Sequence, residues 1–199
     1  PESEYREITE HLGGAVFYAG GGEAKINLLQ VRSAPEDDEE EEPGNRLYQN
    51  VAKKGSMLAM HIKNSDSIFR SYLPEASEME FALLEKASIE LYKRYGIEWH
   101  TDCSRIPAEK FPMISDLYEF INAQAGDNEI MKSLLARLYS AAYGSDQFIF
   151  NGHTNISLDS QILCFDTNSL QAQTDNVKRA QYMNILGLAC LTSCILKLY

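Results

Sequence analysis

At 199 residues, 44% of them hydrophobic, the chain is long enough for one domain or for a core with a subdomain. Its formal charge of −11 argues against nucleic-acid binding through phosphate neutralisation, which needs a basic surface, and against an anionic membrane surface as partner. The cysteines Cys103, Cys164, Cys190 and Cys194 form no CxxC pair and no disulfide-dense pattern; Cys190 and Cys194, four apart in an apolar helix-like segment with no His nearby, read as buried thiols, and a reducing, cytosolic setting follows.

The polar, acidic opening Pro1-Glu2-Ser3-Glu4 is unlike a signal peptide. Glu2 to Leu12 reads as a short helix, with Tyr5, Ile8 and Leu12 at helical spacing and Gly13-Gly14 as its stop. Ala15 to Ala19 is a short apolar run, hence a buried strand, broken by Gly20-Gly21-Gly22. Lys25 to Val31 fits either a short extended piece or an entry loop. A helix, a Gly-Gly turn and a buried strand in succession suggest the edge of a parallel α/β sheet. The carboxylates from Glu36 to Glu42 repel one another and predict a solvated loop rather than a cation site, whose ligands are spaced around a Gly turn.

From Val51 onward the periodicity is helical. Leu58, Ile62, Ser65, Phe69 and Tyr72 line one face of a helix that Pro74 ends. Ser77 and Glu80 form a capping box that opens a second helix to Tyr95, with Phe81, Leu84, Ser88, Leu91 and Tyr95 inward and Gly96 as its stop. Ser115 to Gln124 and Asp127 to Tyr143 read as two more helices. The latter carries Ile130, Leu134 and Leu138 beside Met131, Leu135 and Tyr139, and Gly144 closes it. Ile162 to Phe165 then reads as a central strand, and Val177 to Leu198 as a long helix. The apolar run from Met183 to Tyr199 is shorter than the roughly 20 residues of a membrane span and is interrupted by Thr192, Ser193 and Lys197. It reads as a helix buried by protein.

Candidate chemistry is sparse. No GxxxxGK[ST] phosphate loop is present: Gly20 to Lys25 has the order wrong, and Lys54-Gly55-Ser56 inverts the Gly-Lys step. Asp166 ends an apolar strand, the shape of a magnesium-holding strand in P-loop motors. Thr167 follows where many of them have an acid, so Asp166 reads as structural. His100, Asp102 and Cys103 could be pictured as a nucleophile set or a metal site, but closeness in a polar loop supplies neither base geometry nor an oxyanion donor. His153, in the Asn151 to Asn155 turn, is expected to bond local backbone. The tyrosines fall on inner helical stripes and read as core rather than as a base-stacking platform, which accompanies a basic groove.

Taken in order, several segments resemble the ATPases of conjugative type IV secretion systems, the VirB4/TraC-like family. Pro1-Glu2-Ser3-Glu4-Tyr5 resembles the family's Asp-Pro-Glu-x-Glu-Tyr step, entered one residue late. Leu12-Gly13-Gly14, the strand Ala15 to Ala19 and Ile26-Asn27-Leu28 resemble its Gly-Gly, strand and Ile-Asn-Pro sequence, with Leu28 in place of the usual Pro. Glu90 to Ile97 and Phe111 to Tyr118 are similar to its helical insertion. Phe150 to Asn155 and Leu163 to Asp166 are similar to the return from that insertion.

The resemblance implies an α/β, predominantly helical chain: part of a RecA-like P-loop motor sheet with an inserted all-α subdomain. Residues 1–34 would belong to the motor, 35–50 to an acidic loop, 51–145 to the all-α subdomain, and 146–199 to the return strand and helix. The Walker A loop would precede Pro1, and the Walker B, Gln and Arg motifs would follow Tyr199. No catalytic residue and no metal ligand is therefore carried over; Glu2 and Glu4 match the acidic step near the nucleotide. ATP and Mg are implied for the intact parent, which energises DNA or protein translocation, and none in this chain, which is expected to be inert alone. Implied partners are other subunits of the same motor, as a homo-oligomer, and secretion-channel proteins. No direct nucleic-acid contact is implied, and the membrane is reached only through partners, at its cytoplasmic face. A standalone acidic interaction module and a small hydrolase using His100, Asp102 or Cys103 are the competing readings.

Overall fold

The alternation of helix and strand signals near the start is carried into three dimensions. The computed structural model describes residues 2–22, 24–32, 56–156 and 162–191. Helix α1 spans Glu2–His11 and strand β1 spans Ala15–Tyr18. Strand β2, Leu163–Asp166, pairs parallel to β1 with Ala15 opposite Leu163 and Tyr18 opposite Asp166. Phe17 and Phe165 meet across the pair with ring centroids 5.7 Å apart. The predicted central strand is thus shifted by one residue, with its length of four unchanged. Ile162 precedes it and only its carbonyl joins the ladder, accepting from Ala15 N–H at 2.9 Å, and the sheet has two strands among the described residues.

Helix α1 packs on both strands, but through the buried Thr9. Tyr5, Ile8 and Leu12, whose spacing announced the helix, face outward. After β1 the turn at Gly20 runs so close to the 3-10 turn Asn168–Ala172 that a Cβ on Gly20 would lie 2.6 Å from a Ser169 backbone carbon. Only glycine fits there.

The helical block follows its local signals. Helix α2, Met57–Tyr72, is capped by Ser56 and buries the expected face of Leu58, Ile62, Ser65, Phe69 and Tyr72. Helix α3, Glu78–Arg94, opens on the Ser77–Glu80 capping box. Its inner stripe holds Phe81, Leu84, Ser88 and Leu91 but continues to Tyr92 instead of Tyr95. The backbone leaves the helix at Tyr95 and turns through Gly96 at φ +74°, which swings the Tyr95 ring outward. Helix α4, Ile114–Ala125, and helix α5, Glu129–Ala142, follow, the latter capped by Asn128. On α5, Leu134, Leu135 and Leu138 are buried while Ile130 and Tyr139 are exposed. A short helix α6, Gln147–Phe150, holds Ile149 and Phe150 in the core. Helix α7, Asp175–Leu191, starts two residues before its expected position, and positions 192–198 of that prediction lie outside the described residues.

Helix α2 packs on α7; α3 packs on α2, α4 and α5; α4 packs on α5, and α5 on α6. One core of buried side chains runs from Ala19 and Ile26 through the helices to Leu188. Each of its large aliphatic side chains contributes about 1.5–3 kcal/mol of burial. Among the described residues no helix is long and apolar enough to cross a membrane.

Candidate functional site

The run from Lys25 to Val31 settles as an irregular turn, neither strand nor helix. Ile26, Leu28, Leu29 and Val31 are all buried, so the peptide groups between them lose water and need protein partners. Asn27, fully enclosed, supplies or receives most of them. Its backbone N–H donates to Thr154 Oγ1 at 2.9 Å and its side-chain amide donates to the Pro112 carbonyl at 2.9 Å. Its side-chain oxygen accepts from Leu29 N–H at 3.0 Å, and its carbonyl accepts from Arg32 Nη2 at 3.1 Å.

The same turn is held from the other side by α7. Asn184 donates to the Ile26 carbonyl at 3.1 Å, and Gln181 donates to the Ala19 carbonyl at 3.1 Å. Arg32 Nη1 donates to the Asn184 carbonyl and Nη2 to its side-chain oxygen, both at 3.2 Å. From α3, the Tyr92 hydroxyl donates to the Leu29 carbonyl at 2.7 Å, and His61 of α2 sits 2.9 Å from that hydroxyl. Lys25 meets the return segment: its N–H donates to Asn155 Oδ1 at 2.7 Å, and its ammonium bonds the Phe148 carbonyl below that residue's ring. Asn151 then ties α4 to α5, accepting from Ser115 N–H at 3.1 Å and donating to the Ala142 carbonyl at 3.1 Å. The chain after β1, the helical block and the return segment therefore converge on one buried polar junction.

Burial lowers the Arg32 pKa to about 10, and the charge is met by carbonyl and amide oxygens rather than by a carboxylate among the described residues. Burial, then the Arg32 charge, hold His61 down at about 3, so its imidazole is neutral. Burial raises Tyr92 well above its ordinary value, which keeps it a donor.

The resemblance drew attention to Asn27 as part of a motif, but its partners were missed. Gln181 and Asn184 carried a usable signal, because both are polar residues on the otherwise apolar inner face of α7. Arg32 carried no signal at all.

The other candidates are not gathered into a site. Glu2 and Glu4 lie at the start of α1, and their side chains, like the acidic run 36–42, lie outside the described residues. Asp166 accepts from Asn168 N–H at 2.8 Å and shapes the turn after β2, as the structural reading expects. Lys25 is committed to the Phe148 carbonyl, so the glycine turn beside it does not fit a triphosphate. Asp102 caps a 3-10 turn, Cys103–Arg105, accepting from Ser104 N–H at 3.0 Å and from its hydroxyl at 2.6 Å. Burial, then Asp102, push the Cys103 thiol up, the opposite of an activated nucleophile, and its sulfur reaches only the Thr101 carbonyl at 3.5 Å. The Nδ1 of His153 is buried without a hydrogen-bond partner, and Thr154 and Asn155 bond the turn at Lys25 and Asn27. Among the described residues no three His, Cys, Asp or Glu side chains are grouped to hold a metal.

No protein-family model matches the chain, and no curated protein matches it. Among solved structures, the fold is similar to VirB4 of Thermoanaerobacter pseudethanolicus, with a TM-score of 0.82 and 38% sequence identity. The match covers 96% of this chain and 66% of that one, so the chain spans just under two thirds of its solved relative.

Proposed function

Because the chain belongs to the VirB4-like family of type IV secretion ATPases, we propose that it forms the region of such a motor where a RecA-like sheet meets its helical insertion. The junction around Asn27 is the coupling element in this reading. The observation that carries it is that one enclosed side chain and its own backbone bond Thr154 of the return segment, Pro112 before α4, and Arg32 in the chain after β1. Densely packed, multiply bonded polar networks have few alternative arrangements, so a shift of the sheet would move the helical block as a body.

The intact motor would use ATP and Mg to energise DNA or protein translocation. It would assemble from copies of itself and from channel proteins at the cytoplasmic face of the membrane. The 199-residue chain is expected to show no ATP turnover of its own; turnover that Asp166→Ala abolishes would overturn that part. In the intact motor, Asn27→Ala is expected to lower translocation about tenfold while nucleotide affinity changes little, the size of a lost coupling term. Unchanged translocation with a folded variant rejects the coupling role.

A further inference from the structure

Tyr118, Tyr139 and Tyr143 stand together where α4 and α5 run side by side, their ring centroids 5.3 to 6.3 Å apart in all three pairings. The rings are mutually inclined, at 85° between Tyr118 and Tyr143, and so present both faces and edges. Contrary to the expectation of core packing, Tyr139 is 53% exposed and Tyr143 41%. Two carboxylates border them. The Tyr143 hydroxyl donates to Glu119 Oε1 at 2.8 Å, and Asp116, one turn earlier on α4, accepts from Met113 N–H at 2.7 Å and acts on Tyr143 through its charge. Burial first and the Glu119 bond second push Tyr143 up to about 12, so its hydroxyl stays protonated and its ring neutral.

The chemistry of this ledge selects a cation. Aromatic faces carry negative potential, and adjacent carboxylates deepen it. A stacking platform for nucleic acid needs a basic surround, and the formal charge of −11 provides the reverse. No internal cation fills the role: among the described residues the three cation–π contacts all use phenylalanines, namely Lys25 on Phe148, Arg70 on Phe81 and Arg94 on Phe120.

We propose that the Tyr118–Tyr139–Tyr143 ledge is a docking site for an arginine-bearing segment of a partner protein. A guanidinium stacks on the exposed tyrosine faces and bonds Glu119. Arginine suits it better than lysine, because a planar guanidinium stacks and bonds a carboxylate at once. A second copy of this chain fits less well, since both copies carry the same large negative charge.

The test is a titration of the full chain with an eight-residue Arg-Gly repeat peptide, followed by NMR of the tyrosine rings and of the peptide side chains. On the unaltered chain, the three ring systems are expected to shift together, and the arginine δ-protons to move upfield over the ring faces. Tyr139→Leu with Tyr143→Leu keeps the net charge and is expected to weaken binding about five- to tenfold. A citrulline peptide should bind far more weakly, and a Lys-Gly repeat several-fold more weakly. Equal affinity for the double variant, or shifts confined to other residues, would show attraction to net charge alone and overturn the proposal. Equal affinity for the lysine peptide would do the same. So would a single-stranded oligonucleotide, or the chain's own rising concentration, moving the same rings.

Discussion

Arg32 is a buried guanidinium surrounded by oxygens that carry only partial charge, and it sets the electrostatics of the residues beside it. His61 is the most responsive of these. The Tyr92 hydroxyl gives its proton to the Leu29 carbonyl, so His61 Nε2 must carry hydrogen and donate to Tyr92. Adding a second proton to His61 would place a cation in a buried site beside Arg32, which is why its pKa falls from 6.5 to about 3. In the unfolded chain the ordinary value returns. Between those two values the unfolded state binds more protons, so His61's contribution to stability is full above pH 6.5 and is lost as pH falls through the window. The limiting slope is about 1.4 kcal/mol per pH unit. Urea unfolding at pH 7 and pH 5 is expected to show this decline before most carboxylates titrate, and His61→Gln, which keeps a donor but cannot ionise, should flatten it. An equally steep decline in the variant would remove His61 as its source.

At the scale of elements, Glu80 shows how a local signal and a distant one can meet in one side chain. One carboxylate oxygen accepts from Ser77 N–H at 2.7 Å and Ser77 Oγ at 2.9 Å, closing the N-terminus of α3. The other accepts from Ser133 Oγ at 2.9 Å and Arg137 Nε at 3.1 Å, pinning α5 to that terminus. Burial alone would raise its pKa, but the Ser77, Ser133 and Arg137 bonds outweigh that and hold it low. Its contribution is therefore present above the ordinary carboxylate value and lost in acid. Glu80→Ala is expected to cost about 2–4 kcal/mol in chemical denaturation, more than the ~1 kcal/mol of a cap alone, because Arg137 and Ser133 lose their partner as well. A cost near that of Ser77→Ala would mean the α5 contacts contribute nothing. The cap was legible in sequence because it spans three residues, whereas the Arg137 contact has no spacing rule behind it. The same division runs through the chain. Helices α2 to α5 were readable from caps and 3.6-residue periodicity, and only their ends moved. The turn from Lys25 to Val31 was ambiguous because its conformation is fixed by α7, α3 and the return segment, none of which is near it in sequence. Tyr95 was misread as inward for a smaller reason: the helix stops one residue sooner than Gly96 alone suggests.

The whole molecule is unevenly finished. From sequence, the apolar helix near the C-terminus reads as buried by protein, and in the fold Val177, Ala180, Ile185 and Leu188 of α7 are buried, with α7 packed on α2. A row of large apolar side chains is left outside on and just after α1, where Tyr5, Ile8 and Leu12 are 69%, 55% and 64% exposed beside a parallel sheet of two described strands. Parallel sheets are normally covered on both faces, and two strands make a marginal layer. Three such side chains in a row are enough apolar surface to drive contact between copies. We therefore expect light scattering to show association rising with concentration, and Tyr5→Lys, Ile8→Lys and Leu12→Lys together to abolish it. Because these side chains bury little in the chain itself, the melting temperature should move by no more than a few degrees, in line with surface substitutions. Leu186→Lys, at an exposed position of α7, should leave association unchanged. A chain that stays monomeric at every concentration would sink the expectation, as would association that survives the triple change. Charge gives the test its force. The three lysines reduce the net negative charge and so weaken the repulsion between copies. Loss of association in that variant can then come only from the apolar face of α1.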